Sequence, residues 1–405
     1  MAEGHNPGHI DQIKQINAGA VYRLIDQLGP ISRIELSKQA NLAPASITKI
    51  TRELLDAHLI KEDEFQEPGS RGRPAVGLIL DTEGWHFLSA RLGRGYLTLA
   101  LHELSSELLI EERLDIIERE QSALLKRLVS EIDLFFTRHQ DKLERLSAIA
   151  ITLPGVIDAT RGIVHQMPYY HVKDMPLAAE LEQKTGLPVL LRHDVCAWTM
   201  AEALFGPSQG CQNVVQLSIN HGVGVGVMID GKLIHGQYRN LIEAGHIVVN
   251  PQGEQCECGH RGCLETEINI QALLRKARQR LECGEESVLR HQTLNVSNLC
   301  QAALNGDVLA LNLLTEAAER IGVLLSMLVN LFHPEKVLFG SPLSQAQSIM
   351  FPVIMRTLEA NAYPLYTQNL TLEPTRFYNE GTMPGAGLVK ESLYSGVLLT
   401  KLLEG

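Results

Sequence analysis

The sequence predicts an α/β protein in which a winged helix-turn-helix stands ahead of a two-lobed body. Three observations carry that prediction. Residues 1–80 read as helix, three-residue turn and helix, followed by two short strands around a basic, Gly-rich tip. From residue 81 onward, strand-like and helix-like segments alternate, with Gly turns at strand ends. In the second half, CECGHRGCLE packs three cysteines into eight residues at the spacing C-x-C-x4-C.

A chain of 405 residues exceeds what one hydrophobic core serves, so two or three domains are expected. Apolar residues make up 45% and charged residues 20%, which is ordinary for a globular protein. No apolar run approaches the ~20 residues of a membrane helix. The polar start MAEGHNPGHIDQIKQ lacks the apolar core of a signal peptide, and a cytoplasmic protein is expected. Seven cysteines, four of them scattered singly (Cys196, Cys211, Cys283, Cys300), do not form a disulfide framework. The net charge of −11 is unevenly spread. Residues 1–80 hold 9 Lys/Arg against 10 Asp/Glu, and residues 81–405 hold 27 against 37. Composition alone gives no sign of nucleic acid.

In the first eighty residues, Val21, Leu24, Ile25 and Leu28 form one face of a helix that ends at Gly29-Pro30. Ser32 is placed as an N-cap, with Glu35 completing a capping box. That short helix carries Ile34, Leu36 and Ala40 and stops at Asn41. Pro44 suits the first position of a third helix, where its missing N–H costs nothing. Ile47, Ile50 and Leu54 give this helix one buried face, while Ser46, Thr48, Lys49 and Arg52 lie opposite. Such side chains reach base edges and phosphates in a major groove. A plain three-helix bundle with a solvated face would read the same on those residues alone. Strands at Leu59–Phe65 and Val76–Leu80, joined by QEPGSRGRPA, favour a wing whose Arg71 and Arg73 contact phosphate or minor groove. One such domain reads only a half-site, so a homo-oligomer is expected.

In the body, HFLSARLG and LTLALHEL read as paired strands, followed by a helix from about Gln121 to Leu146. Strands SAIAITLPG, LPVLLRHD, VVQLSIN and GVGVGVMIDG follow. Helices around Leu273–Leu281, Val296–Leu304 and Leu309–Phe332 lead to the strand KVLFGSP. Cys256, Cys258 and Cys263 supply three thiolates, and a fourth N or S ligand would complete a tetrahedral Zn²⁺ site. His246 lies ten residues upstream, and His260 is the local competitor inside the tight loop.

The segment EAGHIVVNPQGEQCECGHRGCLE resembles the signature of the ROK family, which groups sugar-responsive repressors and sugar kinases. Its E-x-G-H followed by C-x-C-G-x-x-G-C-[LW]-E is matched without a gap. The resemblance spans about residues 81–400 and implies a two-lobed, actin-like ATPase/sugar-kinase fold. It divides the chain into 1–80, a first lobe 81–195 completed by C-terminal helix 385–405, and a second lobe 196–384. It also implies that His246 is the fourth ligand of a closed, structural zinc site.

Whether kinase chemistry survives is a separate question. Phosphoryl transfer needs loops whose backbone N–H groups cradle phosphates. The family's D-x-G-G-T-K reads Arg91-Leu92-Gly93-Arg94-Gly95-Tyr96 here. Its G-T-G-x-G reads Asn220-His221-Gly222-Val223-Gly224, and Gly340-Ser341-Pro342 replaces a glycine-rich adenosine contact. ATP binding is therefore not expected, and the chain reads as a non-enzyme. On the sugar side the resemblance retains Asp194 behind an altered His193, together with Glu243, His246 and Glu265. Carboxylates facing one cleft could hold vicinal hydroxyls, or persist as a polar brace.

NPGHIDQIKQINAGAVYRLIDQLGP, LAPASITKI, RGRPAVGL and HDVCAWTMAEALFG resemble the branch of the family that represses glucose phosphotransferase genes. That resemblance implies operator DNA as one partner. It implies derepression by capture on the unphosphorylated cytoplasmic domain of the membrane glucose transporter, which recruits the repressor to the inner membrane face. The helix LLKRLVSEIDLFFTRHQ is the candidate docking element, and its Phe135 and Phe136 flank the continuation of a Leu125, Leu128, Val129, Ile132 stripe. As adjacent residues they cannot both sit at its centre, so they are candidate anchors of which one is exposed. The other reading is that both pack in the core. The alternatives are a repressor induced by a small sugar phosphate such as N-acetylglucosamine 6-phosphate, and a ROK sugar kinase. The tail GLVKESLYSGVLLTKLLEG is apolar at Leu393, Val397, Leu398 and Leu402, with Lys390 and Lys401 expected outside. The family resemblance folds it onto the first lobe; an amphipathic tail for the wing or a membrane is the other reading.

Overall fold

Helix α1 (His9–Leu28) opens the chain and buries Val21, Tyr22 and Ile25, while Leu28 at its end is half exposed. The computed structural model describes residues 9–65, 75–143, 145–236, 242–378 and 381–404. They divide into two units, Met1–Arg192 with Gly381–Gly405, and His193–Glu380.

In the first unit the Ser32 hydroxyl accepts the Glu35 N–H (3.3 Å) and caps α2 (Arg33–Gln39). The Glu35 carboxylate turns to the Gln39 amide (2.8 Å), so the expected capping box is formed on its Ser32 side. Asn41, at φ 51°, makes the turn, and Pro44 is the first residue of α3 (Pro44–Asp56). Ile47, Thr51 and Leu54 are buried on α3, and Ile50 is half-buried. Strands β1 (Ile60–Phe65) and β2 (Ala75–Leu80) pair antiparallel, Ile60 opposite Leu80. Ile31 bridges Leu78, which ties the α1–α2 link to the hairpin.

A five-stranded sheet follows. Strands β3 (His86–Gly93) and β4 (Tyr96–Glu103) pair as expected, and β5 (Leu108–Asp115) adds an edge beyond the expected strands. Helix α4 (Gln121–Arg138) is shorter than expected, because Leu146 already begins strand β6 (Leu146–Leu153). The short pair β7 (Val156–Asp158) and β8 (Ile163–Gln166), helix α5 (Leu177–Thr185) and strand β9 (Val189–His193) follow, and the sheet order is β5-β4-β3-β6-β9. Strands β3 and β4 are buried along most of their length, and α4 inserts Leu124, Leu128, Ile132 and Phe135 into the core of this unit.

The second unit contains α6 (Asp194–Phe205), β10 (Val214–Ile219), β11 (Val223–Ile229) and β12 (Lys232–Ile234). Then come α7 (Leu264–Ile268), α8 (Ile270–Glu282), α9 (Val296–Leu304), α10 (Val308–Phe332) and β13 (Lys336–Gly340). Helices α11 (Gln347–Asn361) and α12 (Pro364–Thr367) precede β14 (Thr371–Pro374). The strand order is β12-β11-β10-β13-β14, with β13 parallel to β10 and β14. Asp307 caps α10 by accepting the Ala310 N–H (3.0 Å), and α10 forms the spine of this core.

The chain then returns to the first unit with α13 (Met383–Tyr394) and α14 (Val397–Glu404). Lys390, expected outside, is buried on α13, and Val397, expected on the apolar face, is half exposed. Among the described residues, no helix is long and apolar enough to cross a membrane.

Candidate metal centre and the reading surface

The strongest constellation in the second unit is His246, Cys256, Cys258 and Cys263, whose ligand atoms all lie within 4.8 Å of one another. Glycine geometry builds it. Gly262 sits at φ 68°, and a Cβ there would fall 1.5 Å from the Asn250 carbonyl oxygen. That approach lets the Gly262 carbonyl accept the N–H groups of both Val249 (2.9 Å) and Asn250 (3.1 Å). Val248 bridges Cys263, and Gln255 bridges Arg261, folding the cysteine loop back against the strand-like run after His246. The His246 Nδ1 atom lies 3.5 Å from Cys256 Sγ, and Cys258 Sγ lies 3.6 Å from Cys263 Sγ. A tetrahedral site with ~2.3 Å metal–sulfur bonds has edges of roughly 3.8 Å, so the four residues fit a metal ion. The competitor His260 stands 3.5 Å from Cys258 Sγ but outside the four-atom group.

The thiols differ in acidity. The His260 backbone N–H beside Cys258 pulls its thiol down to about 6, whereas burial pushes Cys263 up to about 12 and Cys256 upward. A cation is what would make all three thiolates at once. Around the loop, Glu267 accepts from Asn250 (3.1 Å) and Lys276 (2.8 Å), and Glu254 pairs with Arg275 (2.5 Å). These partners were not anticipated; carboxylates without motif spacing carry no signal in one sequence.

Of the predicted sugar-site residues, Glu243 and Glu265 gather beside His246. Glu243 Oε2 is 3.9 Å from His246 Nε2, and Glu265 is half-buried with its carboxylate accepting the Val223 N–H (3.1 Å). Burial raises the Glu265 pKa, and His246 acts in the opposite direction. His193 caps α6, its ring accepting the Val195 N–H (3.2 Å), and Asp194 accepts the same N–H (2.8 Å).

Each of the three altered loops has one of the chain's own side chains against its glycine. The Tyr170 hydroxyl donates to the Gly93 carbonyl (2.7 Å) and accepts the Gly95 N–H (3.0 Å). The Tyr96 ring lies where a Cβ on Gly93 would be, 2.1 Å away, with the Arg113 guanidinium 4.0 Å over that ring. In the second loop, the Glu265 carboxylate lies 2.9 Å from the Cβ position of Gly222. In the third, the Tyr378 ring lies 2.7 Å from that of Gly340, and its hydroxyl donates to Ile219 (3.3 Å).

On α3, Ser46, Thr48, Lys49 and Arg52 are all exposed on the face away from Ile47 and Leu54. Thr48 donates to the Pro44 carbonyl (2.9 Å), and Lys49 lies 3.9 Å from Glu53. Behind them, buried Thr51 accepts from Arg33 Nε (3.2 Å) while Arg33 pairs with Glu62 (2.8 Å), joining α2, α3 and β1. Arg71 and Arg73 lie outside the described residues. The predicted anchor Phe135 requires correction: it is fully buried among Leu124, Leu128 and Ile132, since adjacent helical residues diverge by a quarter turn or more and the stripe takes Phe135 inward. Phe136 is half-buried, and Leu134 is the exposed apolar neighbour.

Comparison with known proteins settles the family. Residues 87–391 match the ROK family. The chain belongs to it. It is 55% identical over 406 residues, covering 100% of both chains, to the DNA-binding transcriptional repressor Mlc of Escherichia coli strain K12. It is 36% identical over 397 residues, 98% of each chain, to the DNA-binding transcriptional dual regulator NagC of the same organism. A solved ROK family transcriptional regulator, a homologue of the E. coli Mlc protein, superposes with a TM-score of 0.93 at 50% identity, covering 98% of this chain and 100% of that one. That likeness runs through the N-terminal helices as well as the ROK body.

Proposed function

We propose that this ROK protein is a DNA-binding transcriptional repressor of sugar-uptake genes with no kinase activity. The single observation that carries the reading is the α3 face: four polar and cationic side chains exposed on a helix whose opposite side is buried, followed by a hairpin. Full-length similarity to Mlc and NagC supports it. Ser46, Thr48, Lys49 and Arg52 contact the duplex in this reading, and Arg71 and Arg73 add backbone contacts from the wing. Two copies read two half-sites. The filled glycine loops support the absence of phosphoryl transfer, because the Gly95 N–H is already bonded to Tyr170.

His246, Cys256, Cys258 and Cys263 hold one structural Zn²⁺, which when bound supplies folding free energy to the loop and no open position for water. The inducing partner is the unphosphorylated cytoplasmic domain of a membrane glucose transporter, met by half-buried Phe136 and exposed Leu134 on α4. A second reading, induction by a small sugar phosphate, draws on the Glu243–His246–Glu265 group and the similarity to NagC.

The test is a mobility-shift titration on sugar-uptake promoters, with the transporter domain, free sugars and sugar phosphates each added for release. Release by the domain alone supports the first reading, and release by a sugar phosphate alone supports the second. Failure to bind any such promoter contradicts both. Turnover of ATP with glucose that depends on Asp194 would show a kinase.

A further inference from the structure

Helices α1 and α13 approach so closely that backbone touches backbone. A Cβ on Gly19 of α1 would fall 2.3 Å from the Tyr394 carbonyl oxygen and 2.7 Å from the Gly396 nitrogen. Gly396, at φ 78° between α13 and α14, has the Gln15 carbonyl 2.0 Å from its own Cβ position. Inside this joint Asp26 accepts from the Lys390 ammonium and from the Tyr394 hydroxyl (2.5 Å). The Asp26 and Lys390 side chains are only 9% and 7% exposed, and Tyr22 is fully buried beside Tyr394. Separating α1 from α13 would break this buried ion pair, so the pair holds the two helices in one geometry.

The other end of α13 is held by the first-unit sheet. Ser89 of β3 donates to the Thr382 carbonyl (2.7 Å), His102 Nε2 of β4 faces the Thr382 hydroxyl (3.0 Å), and that hydroxyl donates to Glu111 of β5 (3.3 Å). Gly385 lies directly on Ser89, and Arg192 at the end of β9 pairs with Glu391. One helix is thus bonded to four strands of the sheet and, by its last turn, to the helix that carries α2 and α3.

We propose that Asp26 is a positioning residue for duplex reading, and that the Asp26–Lys390–Tyr394 clasp makes α13 the rigid link between the first-unit sheet and the α3 face. This rests on the DNA-reading function above. By linkage, a duplex bound at α3 must stabilise the sheet end of α13 as much as a change at that end alters duplex affinity.

The test uses full-length, metal-replete protein and a duplex selected by the wild type from a random-sequence library, read by amide hydrogen exchange. In the wild type, saturating duplex slows exchange at residues 44–56 and also at 382–386. In Asp26→Asn, exchange of residues 12–28 and 386–394 accelerates about tenfold or more, and duplex no longer protects 382–386. Tyr394→Phe removes one of the two donors, moves both readouts the same way by a smaller factor, and decides the matter should Asp26→Asn fail to fold. The proposal is overturned if exchange in the variants stays within about twofold of wild type, or if protection of 382–386 is missing in the wild type or persists in the variants. A wild type that selects no duplex would instead remove the DNA reading, while the exchange rates without duplex would still show whether the clasp holds α1.

Discussion

The hairpin at Gly93–Tyr96 and the loop from His246 to Cys263 use one device, glycine backbone brought against polar groups, to opposite ends. In the hairpin the backbone groups that could face a phosphate are bonded to Tyr170, and Tyr96 fills the space over Gly93. In the metal loop the glycines keep four ligand atoms within 4.8 Å of one another, a geometry ready for an ion. The difference teaches how similar glycine turns come to offer different groups. Side chains that satisfy a loop's backbone groups leave fewer of them for a ligand, whereas a turn that only glycine can make holds its side chains together.

Breaking the metal loop has the largest expected effect. Cys263→Ser removes a buried thiol of the four-residue cluster, and if that cluster holds the proposed metal, its loss costs on the order of 5 kcal/mol or more. Native mass spectrometry should show the lost ion, and calorimetry a second unit that melts far earlier. Gly262→Ala attacks the same loop through its backbone. The left-handed φ and the Asn250 carbonyl leave no room for a methyl group, and about 3 kcal/mol of stability is lost with weakened metal retention. The same outcomes leave the first unit's transition in place.

In the hairpin, Tyr170→Phe frees the Gly93 carbonyl and Gly95 N–H and costs ~1–3 kcal/mol in thermal melting. No ATPase is expected from it, because Tyr96 still covers Gly93, Glu265 stands against Gly222 and Tyr378 against Gly340. Measurable turnover in that variant would show that occupancy by Tyr170 alone kept a competent site closed. Glu267 sharpens the comparison from beneath the metal loop. Burial would raise its pKa, but Lys276, Asn250 and Arg320 outweigh burial and hold it below the usual glutamate range. A depressed folded pKa contributes stability that is present above the unfolded value near ~4.3 and lost as pH falls through the folded one. Glu267→Gln therefore costs ~1–3 kcal/mol at neutral pH, and the gap to wild type narrows below about pH 4 in chemical denaturation.

Legibility in the sequence tracked how local each signal is. Pro44 as the start of α3, the Ser32 cap and the Cys-Cys-Cys-His set are short-range patterns, and the structure places them as read. Strand β5 is hard to read because LLIEERLD, on the sheet edge, carries charge on both faces and shows little apolar alternation. The end of α4 is blurred because the apolar residues of β6 continue the count of a helical stripe. Lys390 reads as an outside residue because one helix shows nothing of Asp26, 364 residues away in sequence, which draws it inward. Tyr170 and Tyr378 are silent in the sequence for the same reason. A side chain that fills a loop made by a distant segment leaves no spacing pattern to read.

The central claim, that α3 reads duplex sequence while the ROK body performs no phosphoryl transfer, is tested most directly by Arg52→Ala. Binding would be titrated on the selected duplex and on a scrambled one at fixed salt, with melting followed alongside. The expected result is a loss of ~1–3 kcal/mol on the selected duplex, little change on the scrambled one and an unchanged melting temperature, since Arg52 is exposed. Equal loss on both duplexes, or no loss on either, would contradict it.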